Sequence, residues 1–235
     1  MQFTTRPELC GTFGMVASTH WIASAVGMKM LEAGGTAADA AAATGFTLNV
    51  VEPHLNGPLG DMTAQVRAAG QDVPQVICGQ GTAPAAATIA HYRAEGLTMI
   101  PGAGLLAASV PGAFDAWMLL LRDHGRLPLR EVLEPAIHYA EAGHPMLAMA
   151  SARIAGQADF FRSEWPTSAA TWLPGDRVPA AGALFRNPAL AAFWRRLLDE
   201  AEAETGRAAQ IEAARRAFYQ GFVAEAIDGL SLIHI

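Results

Sequence analysis

The sequence predicts an α+β or layered α/β fold, on three observations. Strand-like segments are short and fall early in the chain. Long stretches with apolar residues at helical spacing follow them. Glycine and proline punctuate the ends of both kinds of segment. The chain has 235 residues, of which 51% are apolar. That is enough for one large domain, or two small ones, with a sizeable core.

Each element is read in order. Phe13–Ala17 reads as a short strand. Ser18 or Thr19 can cap a helix with Ile22, Val26 and Met30 on one face, ended by Gly34-Gly35. Thr36-Ala37-Ala38-Asp39 resembles a capping box and opens a second helix running to about Val50. Its alanines and glycine allow close backbone packing, and Glu52-Pro53 stops it. Met62–Ala68 and Val73–Gly79 read as two strands around an Ala69–Asp72 turn. Gly81–Pro101 is short helix and loop. Pro111-Gly112 opens a helix bearing Phe114, Trp117, Met118 and Leu121, closed by His124-Gly125. Another carries Val132, Leu133, Ala136, Ile137 and Ala140, is disturbed by Pro135, and stops at Gly143. Asn187-Pro188 starts a helix with Leu190, Phe193, Leu197 and Leu198. A last helical region spans Arg207–Asp228. There is no internal repeat and no flexible linker.

Composition narrows the function. The formal net charge is −6, with both signs interspersed. No basic stripe points to nucleic acid. No apolar run is long enough for a membrane span, and Met1–Glu8 has no signal-peptide core. Cys10 and Cys78 make no disulfide framework, which leaves a cytoplasmic setting as the expectation. The final six residues, Leu230–Ile235, break from the helical pattern. They read as the translation of a transposon-end sequencing adaptor, or as a natural last strand. The adaptor reading implies a truncated chain, with 1–229 native and 230–235 foreign.

Chemical motifs are few. There is no Gly-x-Ser-x-Gly elbow, HExxH or Walker A loop. Gly102–Ala107 fits GxGxxA, but Pro101 and Pro111 leave no room for the strand and helix a dinucleotide site needs. Glu134/His138 and Glu141/His144 have carboxylate–histidine spacing, yet Gly143 ends the helix before His144, so a solvated face is expected and no metal or cofactor. Cys78 reads as a small buried residue in a strand. Two glycine-rich segments stay open. His54–Asp61 and Gly79-Gln80-Gly81-Thr82-Ala83-Pro84 each suit close approach to a ligand, and equally an ordinary turn.

A resemblance then adds to this reading. Gly14–Ser18, Gly34–Ala41 and Val50–Pro53 resemble the opening of gamma-glutamyltransferases in order and spacing. Val110–Ala113, Gly125–Leu129, Pro135–Ile137 and Phe218-Tyr219-Gln220-Gly221 are similar to that family's later landmarks. The resemblance covers nearly all the chain up to Asp228. It implies a four-layer αββα sandwich of the N-terminal-nucleophile hydrolases, incomplete here. It also implies a precursor that cuts itself before a threonine, whose small subunit then stays as partner. That threonine is the nucleophile and its α-amino group can be the base. Backbone N–H groups stabilise the oxyanion. The substrate is a γ-glutamyl amide such as glutathione, and water or an amino acid resolves the acyl-enzyme.

On this resemblance the chain covers large-subunit territory alone. It holds no catalytic residue and is expected to be inactive by itself. Two departures bear on substrate. Typical members read Gly-Arg-Glu-Thr-Ala-Pro where this chain has Gly79–Pro84, and their arginine clamps the substrate carboxylate. Gln80 stands there instead, with Gly81 in place of the acid. Glutamine cannot form arginine's charged, bidentate pair, and losing one costs about 2–4 kcal/mol of binding. The family's glycine-rich run after Glu-Pro is replaced by Asn56–Asp61. A related amide acylase, or a non-catalytic relative, therefore stands beside the γ-glutamyl reading.

Overall fold

A computed structural model describes residues 8–231. Helix α1 (Trp21–Glu32) and helix α2 (Ala37–Val51) pack along each other. The approach is close enough that a Cβ at Gly27 would sit 2.3 Å from Thr44 Oγ1. Thr36 and Asp39 do form a capping box. The N-cap of α1 is His20, whose Nδ1 accepts from the Ile22 N–H at 3.1 Å, rather than Ser18 or Thr19. Ser18 is held elsewhere, donating to the His20 carbonyl. Phe13–Ala17 is not a strand: among the described residues it has no pairing partner, and Val16 packs on the helices instead.

Strand β1 (Met62–Val66) and strand β2 (Gln75–Gly79) pair antiparallel, Met62 opposite Gly79, as a hairpin shorter than the sequence pattern. It rests on helix α4 (Ala113–His124), reached through the short helix α3 (Ile89–Ala94). Helix α5 (Leu129–Ala142) runs unbroken through Pro135. Its buried stripe of Val132, Leu133, Ala136, Ile137 and Ala140 outweighs the lost hydrogen bond. Strand β3 (His144–Pro145) follows, then helices α6 (Ala148–Ser163) and α7 (Pro166–Trp172), and strand β4 (Leu184–Phe185) pairs back on β3. Asn187 caps helix α8 (Pro188–Glu202) through Leu190 N–H at 3.1 Å. The last helical region is two helices, α9 (Arg207–Tyr219) and α10 (Phe222–Leu230). The break falls at Gln220-Gly221, where any side chain on Gly221 would press on the Ala217 carbonyl. Of the proposed adaptor tail, 232–235 lie outside the described residues, as do most of Met1–Glu8.

The main core joins α1, α2, α4, α5, α8 and α9. Its centre is aromatic: Phe114 stacks on Phe218 at 4.2 Å, and Phe46 meets Trp194 edge-on at 5.3 Å. A satellite core of Met146, Ile154, Leu173 and Phe185 lies under α6 and α7. His144 is buried beside it, and neither ring nitrogen has a hydrogen-bond partner. Burial, and next the nearby His20, push its pKa down to about 4; the Tyr139 carbonyl opposes this weakly, without bonding geometry. The folded state therefore keeps His144 neutral, while the unfolded chain takes up a proton near pH 6.5. Stability falls as pH drops from about 6.5 toward 4, by up to about 1.4 kcal/mol per pH unit from this residue. Urea titrations across that window should show the slope, and His144→Phe should flatten it. No helix among the described residues is long and apolar enough to cross a membrane.

Candidate functional site

Three glycine-bearing segments converge at the start of α4. The strand end Gly79–Gly81 meets Val110–Gly112 so tightly that a Cβ on Gly81 would lie 1.9 Å from the Val110 carbonyl oxygen, and one on Gly112 2.3 Å from the Gly81 nitrogen. Gly81 has φ +75°, a conformation glycine alone adopts without strain. The Val110 N–H donates to the Thr82 carbonyl at 2.9 Å and locks the two segments together. The loop His54–Asp61 joins them through Gly60, whose carbonyl accepts from Gly112 N–H at 3.3 Å and Ala113 N–H at 3.0 Å. The two segments the sequence left open are thus one assembly.

An open cleft of about 550 Å³ lies against it, walled by Gly79, Gly81, Gly112, Asp115, Arg215 and Tyr219. Gln80 sits between two wall residues with its own side chain exposed, and its Oε1 accepts from the Cys78 thiol at 3.6 Å. Cys78 is exposed rather than buried: it stands on a two-stranded hairpin and lines the cleft. Tyr219 Oη donates to the Pro111 carbonyl at 2.8 Å and accepts from Asp115 N–H at 3.1 Å. Burial first, and the nearby Asp115 charge after it, raise its pKa to about 12, so it stays a neutral phenol. Arg215 Nε meets Asp115 Oδ1 at 2.5 Å and its Nη1 meets Glu212 at 2.6 Å.

Chemically this is a cleft wall of backbone groups and paired side chains. At the start of α4, the Ala113 N–H is taken by the Gly60 carbonyl and the Asp115 N–H by Tyr219 Oη. Asp115 is committed to Arg215, and no histidine lines the cleft to act as base. The carboxylate–histidine pairs do not assemble either. Glu134 lies 3.9 Å from Arg130, Glu141 pairs with Arg195 at 2.5 Å, and His144 is buried against Phe185. Among the described residues no three His, Cys, Asp or Glu side chains cluster to hold a metal. Gly102–Ala107 forms a loop and a single 3-10 turn, Leu105–Ala107, with no helix opening behind it.

Two collinear landmarks, Val110–Ala113 and Phe218–Gly221, thus meet at one cleft beside Gly79–Pro84. Residues 23–229 match the gamma-glutamyltranspeptidase family. The chain belongs to that family. It is 34% identical to the glutathione hydrolase-like YwrD proenzyme of Bacillus subtilis over 94% of this chain and 39% of that protein. It is 40% identical to the acylase ACY 1 proenzyme of a Pseudomonas species over 71% of this chain and 31% of that one. The solved structure of LmbA2991T421A superposes with a TM-score of 0.93 at 56% identity, covering 96% of this chain and 38% of that chain. This gamma-glutamyltranspeptidase-family chain therefore spans roughly a third to two-fifths of the length of these two curated relatives.

The sequence reading missed Asp115, Arg215 and the role of Tyr219. Asp115 and Arg215 are 100 positions apart and follow no local spacing. Tyr219 was visible only as part of a family landmark.

Proposed function

We propose that this chain is the large-subunit part of a self-processing amidohydrolase whose threonine nucleophile lies outside it. The observation that carries the reading is the cleft. It brings family landmarks around a glycine-pinned binding segment, yet holds no activated nucleophile or base. Such a half-site needs a second polypeptide segment to supply the reacting group. The β1–β2 hairpin, packed on α4 with Val76 still 68% exposed, would add to the inner sheets of a four-layer αββα sandwich. Expression of the uninterrupted gene tests this. Two fragments are expected on a denaturing gel, the smaller starting at threonine. A single uncut chain, or a different new N-terminus, would sink the reading.

The substrate is a γ-glutamyl-type amide or, on a second reading, another dicarboxylyl amide cleaved by an acylase. Gln80 and the 40% identity to an acylase proenzyme favour the second. Better turnover of glutaryl than of γ-glutamyl amides by the full-length enzyme would decide for it. Gln80→Arg tests the contact itself. It should lower KM for γ-glutamyl amides by about tenfold, through a charged pair with the substrate carboxylate, and leave a butyryl amide unchanged. Equal effects on both substrates would remove Gln80 from the site.

A further inference from the structure

We propose a second small-molecule site, for an organic carboxylate with an aromatic or branched apolar body, in the pocket between α6, α7 and the residues just after α2. The pocket has a volume of about 290 Å³ and shares no lining residue with the α4 cleft. That is the lower end of the small-molecule range, ~300–1,000 Å³, and suits a single substituted ring.

Its walls and rim have distinct chemistry. Ile154, Phe161 and Trp172 make the apolar walls. Trp172 is held flat against Phe185, with ring centroids 5.5 Å apart and planes at 12°, so it offers a fixed aromatic surface. Arg153 stands on the same face of α6 as Gln157, one turn away, and Phe161, two turns away. Most arginines of this chain are engaged: those of α4, α5, α8 and α9 pair with carboxylates or carbonyls. Arg153 has no hydrogen-bond or ion-pair partner among the described residues. The nearest acid on its helix does not compete for it, because Asp159 is tied to Arg162 at 3.0 Å. Pro53 and His54 complete the lining. An unspent guanidinium and a rigid indole around one cavity match a carboxylate attached to a ring.

Calorimetric titration of the full-length protein tests the site, with phenylacetate as probe. Phenylacetamide tests the charge and acetate tests the ring. Phenylacetate should bind with Kd at or below about 1 mM, and both controls about tenfold or more weaker. Arg153→Gln should abolish the preference for phenylacetate over phenylacetamide. The residue is exposed on its helix, so folding should be unaffected, which circular dichroism would verify. No saturable binding of phenylacetate overturns the proposal. So does an Arg153→Gln protein that keeps the preference, since the anion would then be held elsewhere. The readout is binding, independent of amide turnover, so failure of the amidase reading would leave it standing.

Discussion

Asp39→Ala should cost about 3–5 kcal/mol of stability, read as a lower urea midpoint with an unchanged slope. The carboxylate is fully buried and accepts from Thr36 N–H at 2.7 Å, Arg126 N–H at 2.9 Å and Leu127 N–H at 3.2 Å. The Thr36 hydroxyl, with one proton to give, lies 3.0 Å from the same carboxylate and 2.8 Å from the His124 carbonyl. One side chain thus starts α2 and pins the turn between α4 and α5. Alanine leaves three backbone N–H groups without their acceptor, one buried at Leu127 and two part-buried at Thr36 and Arg126; a buried one costs about 1–3 kcal/mol, and water relieves the others in part. Asp39→Asn keeps one acceptor oxygen and should lose less than half as much. A loss below about 1 kcal/mol for the alanine variant would mean the cap works only locally, as an ordinary N-cap does.

The same residue marks how far the sequence could be read. Thr36 and Asp39 are three positions apart, so their capping box is a local pattern and was legible. That Asp39 also binds residues 87 and 88 positions away is a tertiary fact with no sequence period. Helices with a strong apolar stripe, such as α4, α5 and α8, were placed closely for that reason. Residues 144–186 were not assigned at all. Helix α6 buries only Ala150, Ile154 and Ala158, too thin a stripe to register. Phe13–Ala17 shows the opposite failure. Its composition suits a strand, but a strand exists only when another pairs with it. Arg207–Asp228 was legible as a helical region, but its break at Gly221 was not marked.

The candidate site was legible as glycine-rich segments and as a resemblance, but not as a cleft. Periodicity could not choose between turn and ligand contact at Gly79–Pro84. The structure shows the turn: Gly81, at φ +75°, lets the segment press against Val110, and the cleft lies beside it. Cys78 was misplaced because strand composition does not say which strands are covered.

Gly81→Ala carries that argument to its sharpest test. A methyl group at φ +75° costs about 1 kcal/mol on conformational grounds alone. Here it would also fall 1.9 Å from the Val110 carbonyl oxygen and 3.3 Å from the Gly112 nitrogen, both backbone atoms that cannot rotate away. Relief requires separating β2 from the entry to α4 and breaking the Val110–Thr82 hydrogen bond. The stability loss should be about 3 kcal/mol or more. In the complete enzyme the wall would move by about 1 Å, enough to lower turnover about a hundredfold when substrate geometry depends on it. Gly102→Ala is the matched control, with nothing within 4 Å of the new methyl and no positive φ, and should change stability by less than about 0.5 kcal/mol. Should Gly81→Ala lose stability but keep full turnover, the Gly79–Pro84 segment would be a structural clamp, and the substrate would have to be sought against the Asp115–Arg215 side of the cleft.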